Sequence, residues 1–127
     1  MRRTDQRRAA VVALYQADVT SRLAPDLLEP RASTFTRELV DGVERERERI
    51  DELIARHAEG WALERIAPVE RNILRVALFE LLHRSDVPPE VAIDEAIEAA
   101  KELCGADAPG FVNGILGAAH RETAGAT

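Results

Sequence analysis

Hydrophobic positions along this chain recur at helical spacing, and one stretch stands out from the rest. Residues 69–83, VERNILRVALFELLH, place apolar side chains at Val69, Ile73, Leu74, Val76, Ala77, Leu78, Phe79, Leu81 and Leu82. Wound as a helix, these positions cover most of the circumference and leave a narrow strip holding Glu70, Arg71, Arg75 and His83. A surface helix shows a single apolar stripe. This one needs neighbours on several sides, so it is expected to be the central helix of an all-α domain. Pro68 can open it, because a missing N–H costs nothing in the first helical turn.

The other segments supply the cover. A first helix is expected over residues 5–20, capped by Thr4 or Asp5, with Ala10, Val11, Leu14 and Tyr15 inward and Asp18 and Val19 on its last turn. Residues 21–33, SRLAPDLLEPRAS, carry two prolines and read as a connection with one helical turn at 26–29. Ser33 or Thr34 then caps a long helix reaching about His57, with a stripe of Phe35, Leu39, Val43, Ile50, Leu53 and Ile54. Its ERERERIDE run reads as a solvated face of ion pairs, each contributing about 0.3–0.5 kcal/mol. Gly60 ends that helix, and Trp61, Leu63 and Ile66 form a short apolar link to Pro68.

Beyond the central helix, Pro88-Pro89 starts another, with a stripe of Val91, Ala92, Ala96, Ile97, Ala100 and Leu103 and a stop at Gly105. Asp107 is placed to cap a last helix near Pro109. Here the local signals conflict. Asn113-Gly114 between apolar pairs is a hairpin signal, but Phe111, Val112, Ile115, Leu116 and Ala119 keep helical spacing, and no other segment could pair as a strand. The segment is therefore assigned as a helix, with Gly110, Gly114 and Gly117 expected on one face to admit a close neighbour. The ends, residues 1–4 and 122–127, are expected to be loose.

A chain of 127 residues is expected to form one domain. At this size roughly two-thirds of the unfolded surface can be buried, and with aromatics at only 4% the core must be aliphatic. A single cysteine, Cys104, forms no internal disulfide and suits a reducing compartment. No apolar run approaches the roughly 20 residues of a membrane span. MRRTDQRR leads straight into an amphipathic pattern rather than a signal segment, so a cytoplasmic location and no membrane partner are expected.

The net charge of −6 argues against a nucleic-acid partner until its distribution is considered. Residues 1–8 hold Arg2, Arg3, Arg7 and Arg8 against Asp5, a local charge of +3, so the remaining residues carry −9. Two readings stand for these arginines: a solvated helix end, or a set placed for phosphate oxygens, which guanidinium groups grip bidentately. Little else suggests chemistry. His57, His83 and His120 lack ligand-spaced partners, Cys104 has no second cysteine, and no glycine-rich loop follows a strand. No metal, cofactor or enzymatic activity is expected.

The combination VERNILRVALFELLH, RSDVP, VAIDEAIEAAK and FVNGIL, in that order and spacing, resembles the NusB family of bacterial transcription antitermination factors. The arginine-preceded Ala13-Leu14-Tyr15 fits the same family. The likeness is close over residues 2–20 and 69–121 and rests on length and pattern between them. It implies an all-α fold of about seven helices in two small bundles. It also implies binding of boxA RNA from ribosomal RNA operons together with NusE, a small-subunit ribosomal protein, in an antitermination complex on RNA polymerase. Carried onto this sequence, the RNA-binding residues are Arg2, Arg3, Arg7, Arg8, Tyr15, Asp107 and Phe111. Glu70 falls on the NusE-facing side, with Arg71 and Arg75 beside it on the same strip. Arginines would pair with phosphates, and the aromatics would stack on bases.

The chain departs from the family where Thr4, Asp5 and Val12 replace further arginines and a glutamine, and Asp5 should weaken phosphate binding. Some family members pair as homodimers that hide the RNA surface. Two other functions compete: the NusB-like domain of a ribosomal RNA cytosine methyltransferase, and a helical protein–protein module without RNA binding. On the leading reading, Arg7→Ala and Arg8→Ala weaken RNA binding with the fold intact, and Glu70→Lys impairs NusE association.

Overall fold

The computed structural model describes residues 2–124. These form five α-helices: α1 (Arg3–Thr20), α2 (Thr34–His57), α3 (Pro68–His83), α4 (Pro89–Leu103) and α5 (Ala108–Ala124). Two 3-10 turns, Ala24–Leu27 and Leu63–Arg65, sit in the connections around α2. The expected seven helices are thus five α-helices and two short turns. No strand occurs among the described residues, and no helix among them is long and apolar enough to cross a membrane. Helices α1, α2 and α3 pack as one group and α3, α4 and α5 as another, so α3 belongs to both.

That shared position explains its composition. Nine consecutive residues of α3, from Asn72 to Glu80, are buried, and Leu74 and Leu78 are at most 1% exposed. Burying a leucine of this kind contributes about 1.5–3 kcal/mol. Three members of the run are polar: Asn72, Arg75 and Glu80. The strip expected to face water is therefore only partly exposed, and Arg75 is a core residue.

Boundaries follow local chemistry in most places. Ser33 caps α2, its Oγ accepting from the Thr36 N–H at 3.1 Å, and Pro68 and Pro89 open α3 and α4. At the start of α1 the expected cap fails. The N-cap is Arg2, without a side-chain hydrogen bond, and Thr4 lies inside the helix, where its hydroxyl donates to Glu95 Oε1 on α4 at 2.8 Å. A tertiary partner replaced the local one. The ends expected to be loose are helical at Arg3 and Thr4 and through Ala124; Met1 and residues 125–127 lie outside the described residues.

The Asn113-Gly114 segment is helical, in the middle of α5. Its glycines do not admit a neighbouring helix as expected. A Cβ at Gly110 or Gly114 would meet nothing within 4 Å, and one at Gly117 would meet only the Arg121 guanidinium. The close approach is at Gly42 on α2 instead, where a Cβ would overlap the Phe79 ring of α3. Gly42→Ala is expected to cost about 1–3 kcal/mol by overpacking, against a gain in helix propensity of up to about 1 kcal/mol. A thermal unfolding midpoint at or above that of the wild type would show that the Phe79 ring can step aside.

Candidate functional site

The four N-terminal arginines occupy different environments. Arg2 extends into water, its side chain 81% exposed, with Asp5 at 3.7 Å. Arg3 lies over the Phe35 ring, 4.1 Å from the centroid, and its Nη1 donates to Asp86 Oδ2 at 3.3 Å. Arg8 is largely covered and donates to Glu102 on α4 at 3.1 Å.

Arg7 points inward, contrary to expectation. Its Nε donates to both carboxylate oxygens of Glu80 at 3.0 Å and its Nη2 to Oε1 at 2.8 Å. The Arg7 side chain is 7% exposed and that of Glu80 1%. Arg7 Nη1 also lies 3.9 Å from Glu95 of α4. Removing Arg7 leaves the Glu80 charge buried and unpaired, so this fork fastens α1 to α3 and its guanidinium is already occupied by carboxylates.

A second buried network corrects the placement of Arg71 and Arg75. Asp18, at the end of α1, accepts from Asn72 Nδ2 at 2.8 Å, Arg75 Nη1 at 2.8 Å and Arg71 Nη2 at 3.2 Å. Arg75 also grips Asp51 of α2 through Nε and Nη2 at 2.8 and 3.0 Å, and Arg47 reaches Asp18 and Glu44. Three arginines thus meet three carboxylates where α1, α2 and α3 converge. Burial alone would raise the Asp18 carboxyl, but the Asn72 hydrogen bond and the nearby guanidinium charges outweigh it and hold it below its usual range. Arg71 also donates through Nη1 to the carbonyls of Leu63 and Ile66. It orients the turn before α3 instead of reaching toward a partner.

That turn forms one wall of a groove of about 340 Å³ lined by Trp61, Arg65, Glu70, Asp107 and Phe111, among others. The structure therefore brings Glu70 together with Asp107 and Phe111 and separates it from Arg71 and Arg75. Burial raises the Glu70 carboxyl above its ordinary value. Asp107 is exposed just before α5, where its carbonyl accepts from the Phe111 N–H. Phe111 is half-buried, packed partly on the core and partly edge-to-face with Trp61, centroids 6.4 Å apart. Tyr15 is half-buried on α1, beside exposed Val12.

Trp61 was missed by the sequence reading. It belongs to the short apolar link between α2 and α3, and it is 54% exposed. Its only legible signal is a lone tryptophan next to Gly60, which turns the chain at a φ of +82°. Among the described residues no group of His, Cys, Asp and Glu side chains could hold a metal ion.

Comparison with known proteins places this architecture. The NusB family model matches residues 4–121. The transcription antitermination protein NusB of Saccharopolyspora erythraea is 49% identical over 124 residues, covering 91% of this chain and 84% of the relative. Among solved structures, NusB of T. maritima superposes with a TM-score of 0.87 at 35% identity, covering 96% of this chain and 92% of the other. A chain from the complex of antitermination factors NusB and NusE with double-stranded RNA superposes at 0.84 with 27% identity, covering 94% and 96%. With a family match across nearly all of its length and a relative this similar, the chain belongs to the NusB family.

Proposed function

We propose that this chain is a non-enzymatic, RNA-binding transcription antitermination factor. It takes boxA-type single-stranded RNA from ribosomal RNA operon transcripts together with NusE, as part of the antitermination complex on RNA polymerase. The observation that carries this reading is the convergence of Phe111, Asp107 and Glu70 on one groove, which their places in the sequence did not require. The likeness to a chain from the complex of NusB and NusE with double-stranded RNA supports NusE and RNA as the partner classes.

Accessibility divides the roles. Arg2 and Arg3 are the exposed members of the N-terminal set and contact phosphates, with Arg8 able to exchange Glu102 for RNA at the surface. Tyr15 and Phe111 offer aromatic surface to bases, each stack contributing about 1–3 kcal/mol. Glu70, at the groove edge, presents a carboxylate to the basic ribosomal protein. Arg7, Arg71 and Arg75 act indirectly, by holding the helices and the turn that shape this surface.

The test is fluorescence anisotropy with a labelled boxA-type RNA, with and without NusE, over a salt series. On single strands each phosphate contact contributes about −0.7 to the log–log slope. The Arg2→Ala/Arg3→Ala double variant is therefore expected to shallow the slope by roughly 1.4 while the protein unfolds at the same denaturant concentration. An unchanged slope, or equal affinity for a scrambled RNA with NusE present, would overturn the reading.

A further inference from the structure

We propose that Trp61 and Arg121 extend the RNA-binding surface past Phe111, forming a second base-stacking platform with its own phosphate contact. This rests on the RNA-binding reading above and adds residues that reading does not use. Trp61 and Phe111 form a ridge between two grooves. The far groove, about 430 Å³, is lined by Arg56, Glu59, Gly110, Gly114 and Arg121, among others.

Three observations point to a nucleic-acid strand here. The indole is more than half exposed despite its edge-to-face contact with Phe111, which leaves apolar ring surface in water. Gly110 and Gly114 leave that side of α5 bare, since a Cβ at either would touch nothing, so a ligand can lie close to the helix backbone. Arg121 is exposed and has no ion pair or side-chain hydrogen bond among the described residues, whereas Arg56 is held by Glu52 and Glu122.

Charge sets the direction of the strand. The near groove holds Glu70 and Asp107 against Arg65, so it suits bases and the basic protein partner and turns the phosphates of a bound strand away from its floor. The far groove holds two arginines against Glu59, and one of them, Arg121, has no ion pair among the described residues. A strand crossing the ridge therefore keeps its phosphates on the Arg121 side and lays a base on the indole. Single-stranded binding needs this pairing of a flat aromatic with a free cation and is tolerant of sequence. Ala58, Ile115 and Ala118 also line the groove, but its bare glycine backbone and arginines suit a charged strand better than an apolar peptide.

The chain has one tryptophan, so its emission reports on this position alone. Titration with unlabelled boxA-type RNA lengthened by three nucleotides at either end is expected to quench Trp61 emission. One lengthened RNA should bind wild-type protein more tightly than the core RNA by anisotropy. Trp61→Leu should abolish that gain, a loss of roughly 5- to 150-fold set by the strength of one base stack, and Trp61→Phe should restore most of it. Arg121→Gln should shallow the salt slope for the lengthened RNA by about 0.7 and leave that for the core RNA unchanged.

If core RNA binds but no lengthened RNA gains affinity and Trp61 emission stays constant, the platform is refuted and the RNA-binding reading survives. If no RNA binds by anisotropy, both fail. NusE affinity lowered by Trp61→Leu, with RNA affinity unchanged, would assign the ridge to a protein partner and also overturn the proposal.

Discussion

Arg7→Ala is expected to lower the unfolding free energy by about 3–5 kcal/mol, the usual cost of breaking a buried ion pair from one side. For a single domain of this size that is a large share of total stability. The physical cause is Glu80, which sits 1% exposed and loses the three hydrogen bonds that satisfy its carboxylate. Urea unfolding followed by far-ultraviolet circular dichroism measures the change. Replacing both partners with apolar residues, Arg7→Leu with Glu80→Met, should recover most of the loss, because neither charge is then left buried. A destabilisation under about 1 kcal/mol, with weaker RNA binding, would return Arg7 to the phosphate-binding set.

The second large effect is at Asp18. Asp18→Asn removes the carboxylate that meets Arg47, Arg71 and Arg75 and points an amide toward guanidinium groups, at a similar expected cost of about 3–5 kcal/mol. The pH dependence provides an independent check. Asp18 has a depressed native pKa, so its contribution is fully present above the unfolded-state value, near 3.8, and is lost as pH falls through the native value. Wild-type stability should therefore decline on acidification below about pH 4, more steeply than that of the Asn variant. Parallel acid limbs would show that the Asp18 carboxyl is not held by the network. Arg71 links this cluster to the carbonyls of Leu63 and Ile66, so Asp18→Asn should also loosen the groove. Faster proteolysis in the segment between α2 and α3 would reveal it.

These two networks also explain why some helix faces were misread. An arginine on the first turn of α1 carries the same local signal whether it reaches water or a carboxylate. Glu80 is 73 residues away, and only the docking of α1 on α3 reveals the pair. Arg75 behaves likewise: helical spacing puts it on the polar strip of α3, but Asp18 and Asp51 arrive from α1 and α2 to enclose it. The ERERERIDE run reads as a mostly solvated face, but Arg47 joins the buried cluster and Asp51 takes the Arg75 fork. One hint was present. Asp18 follows the inward positions of α1, where a carboxylate needs a partner.

Sequence alone was sufficient for the all-α class, the central role of α3, the caps and proline starts of α2, α3 and α4, and the helical state of α5 despite Asn113-Gly114. All of these depend on periodicity or on contacts within a few residues, which linear order preserves. Tertiary structure alone decided which arginines are buried, that Gly42 rather than the α5 glycines meets a neighbouring ring, and that Glu70 shares a groove with Asp107 and Phe111. It also left Trp61 at the surface. Those outcomes follow from how five helices meet in space, and the energy of a charge or an aromatic ring depends on which distant side chains come to surround it.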